Sequence, residues 1–262
     1  MARATSSPLP ALLLAACSTP VLWGCTGPGT VHPRAAEELR RGYAHVARGD
    51  LERAEVAFQH ALAFRPDLPE GHNGLGVVAR LREDLAGARR RFERAVALAP
   101  DFAEGRANLG EALLAAGRSG DAEAELRRAL AIDPDLADAR QNLVRALIRR
   151  GVDAGEAGVP ALVQARRECL HLLESEPDRA AAHHDLAFLD FRAGDWKAAE
   201  AGYRRAAQLE PAAAPHQLGL CAALGRLGRC QEAAAACGRC LELAPGLDAC
   251  RKGRRGAEGC EG

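Results

Sequence analysis

Set out at a step of 34 residues, this chain lines up with itself. Gly42, Gly76 and Gly110 share one column, Ala54, Ala88 and Ala122 a second, and Ala61, Ala95 and Ala129 a third. Phe58, Phe92 and Leu126 form a bulky column among them. Pro66, Pro100 and Pro134 close three units, and Pro177, Pro211 and Pro245 close three more. A fixed period of this length marks a supersecondary unit that is stacked on copies of itself, because one unit cannot bury its own apolar face. Small residues, an aromatic and a terminal proline at constant offsets predict two helices per unit. The proline ends the second helix, since it has no amide hydrogen and clashes with the turn before it. Aromatic residues make up only 4% of the chain, too few for a barrel or sandwich built on aromatic and β-branched strands.

With Gly42 as the phase, the units fall at 35–68, 69–102, 103–136, 137–179, 180–213 and 214–247, with 248–262 as a terminal capping segment. The turn between the two helices falls on Gly49, Gly117, Gly151, Gly194 and Gly228, and only the second unit departs, with Glu83. Gly76 with Ala88, and Gly110 with Ala122, stand where paired helices approach most closely. A larger side chain there overpacks the contact, at about 1–3 kcal/mol. The fourth unit is nine residues longer than the period, and VDAGEAGVP after Gly151 predicts a longer loop between its helices.

These columns resemble the tetratricopeptide repeat (TPR), carried most fully by NGLGVVARLREDLAGARRRFERAVALAP and ANLGEALLAAGRSGDAEAELRRALAIDP. The resemblance implies an all-α, right-handed α-solenoid of six helix-turn-helix units with a C-terminal cap. It also implies a scaffold that binds protein rather than an enzyme. In such repeats the first helices line the concave surface, which places Tyr43, Asn73, Val77, Arg80, Glu111, Gln141, Arg145, Arg149, His184, Phe188, Phe191 and Arg192 in the groove. Phe188 and Phe191 are three apart and share a helix face. Arginine and aromatic side chains are the commonest energetic anchors of interfaces, so Tyr43, Asn73, Arg80, Arg145, Arg149, Phe188, Phe191 and Arg192 are the candidate peptide-binding residues. Some members of the family clamp a C-terminal carboxylate with lysines and asparagines. Here Tyr43 stands at a clamp position and lysines are lacking, so that role is not expected.

Residues 1–25 read MARATSSPLPALLLAACSTPVLWGC. Their apolar run is broken by Pro10 and Pro20 and falls short of the about 20 apolar residues of a membrane span. A short apolar core ending in small residues is instead an export signal. Leu14-Ala15-Ala16-Cys17 resembles the lipobox of bacterial lipoproteins, in which the cysteine is acylated, and Leu22-Trp23-Gly24-Cys25 is a poorer second candidate. The alternative is an ordinary cleaved signal and a soluble periplasmic protein. Residues 26–34, TGPGTVHPR, read as a flexible tether. Formal net charge is +0, which gives no argument for nucleic acid or for an anionic membrane surface, so membrane contact is expected through the lipid alone.

Of nine cysteines, six crowd the C-terminal end: Cys221, Cys230, Cys237, Cys240, Cys250 and Cys260. In an exported protein such a cluster predicts disulfides. Cys240 lies on the side of its helix that meets the following segment, where Cys250 falls, so Cys240–Cys250 is the candidate staple. Reduced core cysteines remain an alternative, as does a metal or thiol-active pair at Cys237 and Cys240, three apart on one helix face. Cys169 stands alone at a core column. His183 and His184 are adjacent and diverge, and Arg89-Arg90-Arg91, broken by the core position Phe92, reads as a solvated face. No cofactor, nucleophile-base pair or phosphate loop is expected.

The signal, the repeat number, the length and the segment RCLELAPGLDACR together resemble the pilotin lipoproteins of type IV pilus systems (the PilF, PilW and Tgl type). That resemblance implies a location at the inner leaflet of the outer membrane. It implies a secretin or another envelope component as the client, held stoichiometrically in the groove during assembly. A general periplasmic adaptor for other envelope complexes is the alternative.

Overall fold

The computed structural model describes residues 33–258, and the expected export region, residues 1–25, lies outside them. Among the described residues there are thirteen α-helices and no strand. They gather into two compact units, one ending at Ala139 and the other beginning at Arg140.

The first unit holds α1 (Pro33–Ala47), α2 (Leu51–Phe64), α3 (Pro69–Leu81), α4 (Leu85–Leu98), α5 (Ala103–Ala115) and α6 (Ser119–Ile132). They pack as α1 with α2, α3 with α4 and α5 with α6, and each pair leans on the next through α2–α3 and α4–α5. Helix starts follow side-chain chemistry. The Asp84 carboxylate accepts the Gly87 amide at 2.8 Å and Asp50 accepts that of Arg53 at 3.2 Å, satisfying donors that a helix leaves unpaired at its N-terminus. Helix ends follow the prolines. The residue before each one, Arg65, Ala99 and Asp133, is extended (φ −148°, −133° and −131°), because proline's ring excludes helical geometry from its predecessor.

The alanine columns are fully buried, as are Phe58, Phe92 and Leu126. The glycine column meets these bulky residues. A Cβ on Gly42 would sit 2.5 Å from the Phe58 ring, on Gly76 2.5 Å from that of Phe92, and on Gly110 2.5 Å from Leu126. Gly49 and Gly117 have φ of +75° and +76°, and Glu83 stands in the same left-handed conformation at +64°.

The second unit takes in α7 (Ala137–Asp153), which opens just before the boundary, then α8 (Val159–Ser175), α9 (Ala180–Ala193), α10 (Trp196–Leu209), α11 (Ala214–Arg226), α12 (Cys230–Leu243) and α13 (Asp248–Glu258). Gly194 and Gly228 make left-handed turns (φ +85° and +72°). Gly151 does not. Helix α7 continues through it to Asp153, the turn moves to Gly155 (φ +58°), and a 3₁₀ turn at Gly155–Gly158 leads into α8. The extra residues thus lengthen a helix and add a turn where a loop was expected. Gly151 serves packing: a Cβ there would press on Leu162, and one on Gly158 would come 2.0 Å from the Gly151 carbonyl oxygen. The core of this unit joins Ala187, Ala199, Tyr203, Leu220, Cys221, Leu224, Ala236 and Cys237, and α13 adds Ala257 to it.

Candidate functional site

On the first-helix face of the first unit, the expected residues bond to one another. Asn73 is buried, and its Nδ2 donates to the Tyr43 hydroxyl oxygen at 3.3 Å while its Oδ1 accepts from Asn108 at 2.9 Å. Tyr43 in turn donates to the Glu70 carbonyl at 3.4 Å and sets its ring edge-on to Phe58, centroids 5.0 Å apart. Burial raises the Tyr43 phenol to about 12, ahead of the opposing bond from Asn73. Arg80 pairs with Glu111 at 3.1 Å, so its charge is matched within the face. Most polar groups of this surface pair with one another, although Arg80 Nε is buried without a partner, and Asn108, which ties Asn73 to α5, was missed from the sequence.

The corresponding face of the second unit is built differently. Gln141, buried on α7, donates to Asp185 at 2.5 Å and accepts from Arg179 Nε at 3.2 Å. Burial raises the Asp185 carboxyl to about 6, against the opposing pull of Arg145 and Gln141. Beside it His184, singled out as divergent from His183, meets His216 of α11. Their Nδ1 atoms lie 3.0 Å apart, and His184 also packs edge-on to Tyr203. Burial lowers His184 to about 4, helped by the charges of His216 and Arg145. The two histidines were not paired from the sequence, although they stand 32 residues apart, near one repeat, on successive first helices.

Phe188 and Phe191 are partly buried and pack against the core cluster of this unit, so each offers only part of its ring outward. Phe191 meets Trp196 at 4.8 Å, and the Arg226 guanidinium lies 4.7 Å above the Trp196 ring. Arg145, Arg149 and Arg192 are exposed. The face therefore presents cations around a half-buried aromatic ridge.

The structure bonds Cys240 of α12 to Cys250 of α13, and Cys221 of α11 to Cys237 of α12. Cys230 is also disulfide-bonded, and Cys169 is a buried free thiol whose pKa burial pushes up. Cys237 and Cys240 thus bond different partners and do not form a dithiol pair with each other. Helix α13 also packs closely on the Cys221–Cys237 bond, since a Cβ on Gly253 would come 2.6 Å from Cys237 Sγ. Among the described residues no group of three or more metal-binding side chains converges, and no helix is long and apolar enough to cross a membrane. Cys17 and Cys25 lie outside the described residues.

Family models of the tetratricopeptide repeat match residues 39–89 and 79–147, so this stretch is built of tetratricopeptide repeats and the helix pairs have their fold. Among solved structures the chain is similar to PilF of Pseudomonas aeruginosa, at 19% identity and a TM-score of 0.70, over 84% of this chain and 96% of that one. It is similar to PilW, described as a widely conserved type IV pilus biogenesis factor, at 18% identity and a TM-score of 0.70, over 84% and 98%. YrrB, a TPR protein with an unusual peptide-binding site, follows at 12% identity and a TM-score of 0.56, over 76% and 98%. At these identities the likeness is one of fold. No curated protein matches the chain.

Proposed function

We propose that the protein is a non-enzymatic scaffold of the cell envelope that holds a segment of a protein client while a larger complex assembles, and that the complex is the type IV pilus secretin. Its place is the periplasmic side of the outer membrane, held by an acylated Cys17, with Cys25 as the second choice. The observation that carries this reading is the extent of the fold likeness: PilF and PilW are matched over 96% and 98% of their length, not through a few shared repeats. The cysteine that ends the apolar N-terminal segment supports the anchor. The action is stoichiometric: capture, hold, release.

The test is the level of secretin multimers in a deletion strain. They fall when the gene is removed, return with the wild-type gene, and return poorly with an Arg145→Ala, Arg149→Ala, Arg192→Ala variant, whose three side chains are exposed. Unchanged multimers on deletion would overturn the secretin as client and leave a scaffold for another envelope complex.

A further inference from the structure

The arginine run of α4 is not the uniform solvated face that its sequence suggests. Arg89 pairs with Glu93 at 3.4 Å, and Phe92 is fully buried. Arg90, Arg91 and, one turn on, Arg94 are exposed and line a cavity of about 450 Å³ in the first unit, over the side of α3 that carries His72, Val78 and Arg82. Both carboxylates in its wall are engaged. Glu55 pairs with Arg82, and Asp84 caps α4. Among the described residues Arg90, Arg91 and Arg94 take part in no ion pair. His72 donates from Nε2 to the Pro66 carbonyl at 3.0 Å, which leaves Nδ1 buried without a partner. Burial, and then the charges of Arg91 and Arg94, lower its pKa, although the Pro66 bond opposes them. The cavity therefore has an uncompensated positive wall, an apolar floor at Leu75 and Val78, and an imidazole that senses the arginines.

We propose that this cavity binds an acidic, extended segment of a protein partner, its carboxylates paired with Arg90, Arg91 and Arg94. Arg90 and Arg94 stand about 6 Å apart along the helix axis, close to the about 6.6 Å between alternate side chains of an extended strand. The arginines spread along α4 and do not converge on one point, which suits a row of carboxylates better than one compact anion. Nucleic acid fits less well, because no Phe, Tyr or Trp lines the cavity to stack on a base. The surface is distinct from the first-helix face: His72, Leu75, Ala79 and Arg82 follow one helical stripe of α3, and Asn73, Val77 and Arg80 another. It does not depend on the secretin reading.

The experiment titrates the whole protein with a hexapeptide of alternating glutamate and alanine at low salt, followed by amide and histidine NMR shifts. The glutamine-alanine analogue and inorganic phosphate are the comparison probes. The acidic peptide is expected to shift α3 and α4 resonances, to lose about tenfold in affinity from low salt to 0.2 M salt, and to raise the midpoint of the His72 titration by neutralising the charges beside it. Arg90→Gln, Arg91→Gln, Arg94→Gln lowers the affinity about tenfold or more with an unchanged circular-dichroism melt, and the matching lysine variant keeps most of it. The proposal is overturned if the peptide fails to bind, binds the glutamine variant equally well, or is displaced by phosphate at equal concentration, which would mark a small-anion site.

Discussion

At the scale of the residue, His184 and Asp185 are neighbours whose titrations oppose each other. His184 is held near 4 against an ordinary 6.5, so the unfolded chain binds the extra proton between these values and stability rises with pH across that window. Asp185 is held near 6 against 3.8, so the folded chain binds the extra proton and stability falls as pH rises across nearly the same window. Each effect is worth about 3 kcal/mol by the standard conversion from pKa, and the two nearly cancel between pH 4 and 6. The contribution of this pair to stability, read by urea titration, is therefore expected to be almost flat there. Asp185→Asn uncovers a loss of about 3 kcal/mol on acidification, and His184→Asn uncovers a gain in the same direction. Parallel curves for all three proteins would contradict the geometry of this face. A second residue-scale expectation concerns Glu83, which occupies a left-handed turn where the other repeats use glycine. Glu83→Gly relieves about 1–2 kcal/mol of strain but loosens the unfolded chain, leaving a net gain of about 0.5–1 kcal/mol in chemical denaturation. None of this pairing was legible in the sequence. Adjacent histidines were read along one helix, whereas the contact that matters runs from one helix to another.

At the scale of the element, the helix ends were the most legible part of the chain. Each closing proline forces its predecessor out of helical geometry, seen again at Glu176, Glu210 and Ala244 (φ −129°, −126° and −139°) before Pro177, Pro211 and Pro245. A local steric rule needs no tertiary context, so sequence suffices. Gly151 shows the opposite case. It was read as a turn because glycine is permissive there, but α7 passes through it and uses the missing Cβ to let Gly158 approach. Which of glycine's two properties is used depends on a contact seven residues away. The terminal helix α13 is a different kind of element, with most of its side chains polar and only Cys250, Gly253 and Ala257 turned to the stack. Its attachment then rests heavily on the Cys240–Cys250 bond, whose ten-residue separation corresponds to about 2–3 kcal/mol. A Cys240→Ala, Cys250→Ala variant is expected to lose amide-exchange protection across residues 248–258 while α9 and α10 keep theirs. Protection retained in α13 would show that packing at Gly253 and Ala257 is sufficient without the bond.

At the scale of the whole molecule, the question is what would bring a chain of balanced charge to a membrane. Formal net charge is +0, so long-range attraction to an anionic surface is absent, and none of the described helices can span a bilayer. The exposed large apolar residues are distributed over several helices; Val159, Val163 and Leu170 share one side of α8, where the exposed Arg167 stands beside them. On the proposed reading, envelope attachment comes from the segment ending at Cys17 or Cys25. Metabolic labelling with a clickable fatty acid is expected to mark the wild type and to leave a Cys17→Ser, Cys25→Ser variant unmarked and released into the soluble fraction, with folding unchanged because both cysteines lie before the first described helix. Comparing the single variants tells which cysteine carries the lipid. An unlabelled wild type that nevertheless sediments with membranes would mean that attachment runs through the client, and the arginine faces of the two units would then be the places to look for it.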